Sequence, residues 1–177
     1  MEQIVLVRHC QTDLLASGDS GTRRNDSPLS ELGLKQANEV GKFVNKYEYD
    51  AVFSSLFIRT IKTAEIINQK KKPQFSSMDL SEYFAGDDGK GRETTTMGIA
   101  RTMSFIYPMF DRYNSIVIVG HNSINSTILR SFLNTEFEES ESYFQSPGET
   151  LVLRRDWKQG DKVWHIKEKF ISLPLPT

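Results

Sequence analysis

Two of the three histidines in this 177-residue chain directly follow apolar, β-branched runs. Ile4 to Val7 leads into Arg8-His9-Cys10-Gln11-Thr12, and Ile116 to Val119 leads into Gly120-His121-Asn122-Ser123. A third such run, Ala51 to Phe53, ends in Ser54-Ser55, with Arg59 close behind. In open parallel sheets, ligands bind at the carboxyl ends of the strands, so Arg8, His9, Arg59 and His121 are expected around one pocket. Such a group suits an oxyanion. Guanidinium groups bind anions by charge-assisted hydrogen bonds. From topology alone, a structural use of both histidines stays open.

The elements that must carry these residues follow from periodicity. The three runs read as buried strands, Ile4 to Val7, Ala51 to Phe53 and Ile116 to Val119. Leu34, Ala37, Val40, Val44 and Tyr47 recur every three or four residues and predict a helix, N-capped by Ser30. Ile58, Ile61, Ala64 and Ile67 form a second stripe; Ile99, Met103, Ile106, Phe110 and Tyr113 form a third, which Pro108 should kink. Ile124, Ile128 and Phe132 mark a fourth helix face. Thr150 to Leu153 and Val163 to Lys167 read as two strands joined by a Gln159-Gly160-Asp161 turn, either an edge hairpin or separate additions to the sheet. The fold class is therefore α/β, a three-layer α/β/α sandwich with a mainly parallel sheet. No linker or repeat divides the chain, and residues 1–177 are expected to form a single domain. Residues 84 to 96 lack periodicity and read as a surface loop that selects substrate.

Composition narrows the partners. The hydrophobic share of 38% and charged share of 25% are those of a globular protein. A net charge of −1 supplies no global field for nucleic acid or an anionic membrane, so neither is expected as a partner. The single cysteine, Cys10, excludes an intramolecular disulfide. The chain starts directly in the first strand without a basic leader, and no apolar run approaches the roughly 20 residues that span a bilayer. A cytoplasmic location is expected.

Leu6-Val7-Arg8-His9-Cys10-Gln11-Thr12 resembles the Arg-His-Gly signature of the histidine phosphatase superfamily, which includes the phosphoglycerate mutases. The resemblance continues in family order through Pro28-Leu29-Ser30-Glu31-Leu32-Gly33 and Gln36-Ala37, then Ser54 to Arg59 with Thr63-Ala64-Glu65. Leu80-Ser81-Glu82 and Val117 to Asn122 complete it. The resemblance implies a phosphoglycerate mutase-like fold and a phosphomonoester hydrolase needing neither metal nor cofactor, with His9 as the phosphorylated nucleophile. Arg8, Arg59 and His121 would hold phosphoryl oxygens, and a backbone carbonyl would fix the tautomer of His9. Glu82 would protonate the leaving group and then activate water, which requires a pKa raised by partial burial. Asp87 and Asp88 are substitutes for that role. Gln11 and Thr12 either donate to phosphate or form a plain turn. Asn122 binds phosphate, supports His121 or begins the next helix. Ser55 and Thr63 flank Arg59 at four-residue spacing and read as orienting or helix-start residues on one face. Arg23 and Arg24 recruit an anionic substrate or form a solvated basic pair. Glu136, Glu138, Glu139 and Glu141 read as charged surface, and His165 as structural or exposed.

Two positions depart from the family pattern. Cys10 replaces the glycine after the histidine, and Leu15 stands where mutase-like members carry a phosphate-holding asparagine. Leu15 and the short length favour hydrolysis over phosphoryl return to substrate. The alternatives are mutase-like phosphoryl transfer and a non-catalytic phosphate-binding pseudophosphatase. A cysteine phosphatase would need an arginine six residues after Cys10, where Ala16 stands. A P-loop is excluded because Gly89-Lys90-Gly91 lacks the following hydroxyl and Phe84 replaces the leading glycine. Zinc ligands at usable spacing are absent. The substrate is expected to be a small phosphorylated molecule or a phosphoprotein. The oligomeric state is left open.

Overall fold

A computed structural model describes residues 1–17, 26–83, 93–133, 144–158 and 160–173. Its centre is a six-stranded sheet in the order β3-β2-β4-β1-β5-β6. The strands are β1 (Gln3–Arg8), β2 (Ala51–Ser54), β3 (Gln74–Ser76), β4 (Ser115–Gly120), β5 (Thr150–Lys158) and β6 (Asp161–Phe170). The first four pair in parallel, while β5 runs antiparallel to β1 and carries β6 outside it. The expected terminal hairpin is therefore an edge hairpin.

Period-two alternation explains why the strands read as continuous apolar runs. Ile4, Leu6, Phe53, Ile116 and Ile118 enter one core cluster, while Val5, Val7, Val52, Val117 and Val119 enter another on the opposite face. Helices α2 (Glu31–Val44) and α3 (Ile58–Ile67) supply Ala37, Val40, Phe43, Ala64 and Ile67 to the second cluster. Helices α4 (Thr95–Ile106) and α5 (Asn122–Leu133) supply Met103, Ile106, Ile124, Ile128 and Phe132 to the first. Two helix layers thus enclose the sheet, as expected for the phosphoglycerate mutase-like sandwich.

The local signals work where they are chemically specific. Ser30 Oγ accepts from Gly33 N and caps α2. Pro108 falls where α4 gives way to a 3-10 turn, Tyr107–Asp111. Other expectations are corrected. α3 does not bury the Ile58 edge of its stripe. Ile58 is 53% exposed, and Arg59, Thr60 and Thr63 face inward with Ala64 and Ile67. The helix phase is set by polar contacts above the sheet end as well as by apolar burial. Leu34 is likewise exposed, and Tyr47 lies beyond the end of α2. The short β3 and the one-turn helix α1 (Asp13–Ala16) have no periodic signature long enough to announce them. Among the described residues, no helix is long and apolar enough to cross a membrane.

Candidate active site

Strand register brings the two histidines together. Arg8 on β1 lies opposite Gly120 on β4, and His9 N donates to Gly120 O at 3.0 Å. The next residues along the two strands, His9 and His121, are consequently neighbours, with ring centroids 5.3 Å apart at 63°. β2 ends one strand further along. Ser54 pairs with Val119, and Ser55 Oγ reaches His121 Nε2 at 2.8 Å. Arg59, in the first turn of α3, brings Nη2 within 3.3 Å of His121 Nδ1. Its guanidinium also lies over the Phe57 ring, 4.3 Å from the centroid.

Each imidazole has a defined tautomer. His9 Nδ1 lies 2.8 Å from Cys10 O, an acceptor, so Nδ1 carries the proton and Nε2 keeps a lone pair. The expected carbonyl is thus that of Cys10. Arg59 can only donate, so His121 Nδ1 accepts and Nε2–H donates to Ser55 Oγ. His9 is pushed down to about 3, chiefly by burial and further by Arg8 and Arg59. Burial likewise holds His121 well below the usual histidine range, with His9 and the guanidinium groups adding to it. Both rings are neutral at physiological pH.

The cations are themselves held. Arg8 Nη1 donates to Gln145 O, and among the described residues its buried Nε has no hydrogen-bond partner. Burial lowers the pKa of both guanidinium groups, while Glu82 favours their charge. Asp26 approaches Arg59 Nη1 at 3.6 Å and accepts from Ile58 N at 2.7 Å, so one carboxylate steadies Arg59 and the first turn of its helix. Glu82 is buried at the same site. Its Oε2 accepts from Ser123 N at 3.2 Å and its Oε1 from Tyr83 N at 3.0 Å.

The lesser candidates occupy supporting positions. Gln11 Oε1 accepts from Ser30 Oγ, and Gln11 N donates to Gln36 Oε1. Thr12 caps α1 through Leu15 N. Asn122 begins α5, and its Oδ1 accepts from Gln145 N. Ser55 precedes α3 and does not share a helix face with Thr63. Ser55 meets His121, whereas Thr63 Oγ1 accepts from Cys10 N at 3.2 Å. His165 lies on β6, 3.4 Å from Asp156, away from the site. Arg23, Arg24, Asp87, Asp88, Glu136, Glu138, Glu139 and Glu141 fall outside the described residues.

Cys10 is accommodated without disturbing His9. Its φ is not positive, so glycine's freedom is not needed, and its side chain is fully buried in the second core cluster. Gly148 packs beside the thiol, and its own need for glycine comes from Ser172 and a positive φ. A Cβ there would lie 3.4 Å from Cys10 Sγ and 2.5 Å from Ser172 Oγ, at a φ of +75°. Burial pushes the thiol up to about 12, which removes it as a nucleophile.

Gln145, Asp26 and Gly148 went unnoticed in the sequence. Gln145 is fully buried and bonds Leu6 O and Glu149 O through Nε2 while accepting from Asn125 and Arg8. Only Asp26, just before Pro28-Leu29, stood close to a recognised motif.

The sequence profile of the histidine phosphatase superfamily (branch 1) matches residues 4–97. The uncharacterized phosphatase PhoE of Bacillus subtilis is 39% identical over 99% of this chain and 97% of its own length. A 2,3-bisphosphoglycerate-dependent phosphoglycerate mutase of Neisseria meningitidis is 34% identical over 48% of this chain and 39% of its own. A mycobacterial glucosyl-3-phosphoglycerate phosphatase has the same fold, with a TM-score of 0.81 at 18% identity, over 95% of this chain and 98% of that one. Profile, full-length relative and fold agree, and the chain belongs to the histidine phosphatase superfamily, a family of phosphohistidine chemistry in which it is a phosphoric monoester hydrolase.

Proposed function

We propose that His9 is the residue phosphorylated during hydrolysis of a small phosphate monoester. The observation that carries this reading is the fixed tautomer of a neutral His9 beside two guanidinium groups. His9 Nε2 attacks phosphorus as the ester P–O bond breaks. Arg8 and Arg59 hold the non-bridging oxygens, and the otherwise unpaired Arg8 Nε is available for one of them. His121 joins them once its Nδ1 carries a proton. Glu82 delivers a proton to the leaving alkoxide. The resulting carboxylate then takes a proton from water as water attacks phosphorus, the P–N bond breaks, and His9 and inorganic phosphate are released. Gln11, Thr12 and Asn122 contribute by shaping the loops around phosphate.

Hydrolysis is favoured over mutase action because Leu15, on α1, has no polar group to hold phosphate as the mutase asparagine does. The full-length relative is also named a phosphatase. We place the enzyme in the cytoplasm and assign it small phosphorylated metabolites ahead of phosphoproteins. The test is a panel of phosphosugars, phosphopeptides, phosphohistidine and an aryl phosphate, run without added metal beside His9→Ala. Turnover lost in the variant, with radiolabelled phosphate trapped on His9 in the wild type, is expected. Binding without turnover would make the chain a phosphate-binding module, and dependence on a bisphosphate primer would make it a mutase.

A further inference from the structure

We infer that Arg101 is the positioning residue for Glu82, acting as a clamp between α4 and the chain on both sides of residues 84–92. This deepens the proposed function and rests on Glu82 being the proton donor. Glu82 has no strand beneath it. It follows a 3-10 turn, Met78–Leu80, whose carbonyl groups need partners. Met78 O accepts from Ser81 N at 2.9 Å, and Arg101 supplies the further donors. Its Nη1 donates to Met78 O at 3.0 Å and Asp79 O at 2.7 Å, and its Nη2 to Ser81 O at 3.1 Å, one residue before Glu82. The opposite edge of the guanidinium grips Glu93, with Nε to Oε1 and Nη2 to Oε2 both at 2.7 Å.

These bonds match the five N–H groups of a guanidinium and fix its plane. Arg101 and Glu93 are also largely buried, at 15% and 8% side-chain exposure, so solvent screens the pair little. Neighbouring residues add to the clamp. Thr102 Oγ1 donates to the same Asp79 carbonyl at 3.1 Å. At Gly98 the α4 backbone meets the ring of Tyr83, where an added Cβ would lie 2.0 Å from Tyr83 Cε1. One helix thus holds the residues immediately before and after Glu82.

A displaced proton donor has a signature that general loosening lacks. An alkoxide leaving group must be protonated, whereas nitrophenolate departs without help. We compare kcat/KM for an alkyl phosphate and for p-nitrophenyl phosphate in wild type, Glu82→Gln, Arg101→Ala and Arg101→Lys, with urea midpoints as the check on folding. Glu82→Gln should lose about 10²-fold or more on the alkyl ester and under about 10-fold on the aryl ester. Arg101→Ala should show the same selectivity with roughly 10- to 100-fold alkyl loss, and should add little to Glu82→Gln in the double variant. If Arg101→Ala does not fold, Arg101→Lys carries the test. Lysine keeps the charge but lacks the planar fork, so a selective loss of about 3- to 10-fold is expected. Equal losses on both esters, or full additivity with Glu82→Gln, would overturn the role of Arg101 alone. Absence of selectivity in Glu82→Gln would overturn both assignments, starting with Glu82.

Discussion

The proposed phosphate-binding half of the site and the proposed proton-donor half are held in different ways. Arg8, His9 and His121 stand at the ends of two adjacent strands that are buried on both faces, and ladder register sets their separation. Glu82 stands on an irregular segment, and side chains from α4 with an amide of α5 fix it from the side. The first half is cationic, with neutral imidazoles, and is the half proposed to act on phosphorus. The second carries the carboxyl group proposed to act on the leaving group.

The largest expected effect tests the cationic half. Arg59 meets His121, Asp26 and the Phe57 ring at once. Arg59→Ala should lower kcat/KM by about 10³-fold, and Arg59→Lys, which restores charge without the fork, should recover roughly 10-fold of that. The loss should be the same for alkyl and aryl phosphates, since both present the same phosphoryl oxygens. A loss confined to alkyl esters would place Arg59 in the donor half and dissolve the contrast.

Acid stability gives the next effect. Folded His9 stays neutral down to about 3, whereas an unfolded histidine takes up a proton near 6.5. Below 6.5 the unfolded chain therefore binds more protons, and stability falls as pH falls. Each such histidine removes about 1.4 kcal/mol per pH unit, or about 2 kcal/mol by pH 5. His121, held low for the same reason, adds to the slope in this window. Urea unfolding of His9→Asn between pH 6.5 and 5 should show roughly half the wild-type pH dependence. An unchanged slope would mean that the pocket does not keep His9 neutral.

The same contrast decides what could be read from sequence. The strand ends were legible because β-branched runs followed at once by His9 and His121 admit few placements, and parallel register does the rest. Ser55 was misplaced because four-residue spacing to Arg59 carried a helical period backwards into the turn before α3. Ile58 was misplaced because an apolar residue above a strand end meets solvent, while Arg59 and Thr63 have partners below. Gln145 bonds Arg8 across 137 residues, and Arg101 lies off the apolar stripe of α4 and leaves its period unchanged. Neither contact leaves a local trace. Cys10 departs from the family pattern without cost because its φ is not positive and its side chain is buried in the second core cluster, neither of which its neighbours in sequence announce.

The smallest expected effect concerns Ser55. In the structure His121 Nε2–H donates to Ser55 Oγ, and Nδ1 accepts from Arg59. For Nδ1 to donate to a phosphoryl oxygen, the ring proton must pass from one nitrogen to the other. A serine hydroxyl serves both tautomers, accepting from Nε2–H in one and donating to Nε2 in the other. Thr60 Oγ1, within 2.7 Å of Ser55 Oγ, can take either side of the exchange. Ser55→Ala removes the acceptor of the Nε2–H tautomer and the donor to Nε2 of the Nδ1–H tautomer; the loss is heavier in the second, and a difference of about 1 kcal/mol lowers kcat/KM roughly 5-fold for both ester types. Nitrogen-15 NMR of the imidazoles checks the cause. His121 should be the Nε2–H tautomer in the free enzyme and the Nδ1–H tautomer when vanadate is bound, with Ser55→Ala impairing the change. A His121 ring that keeps its proton on Nε2 in the vanadate complex, together with wild-type activity in Ser55→Ala, would reduce Ser55 to a packing residue and leave Arg59 to orient His121 by itself.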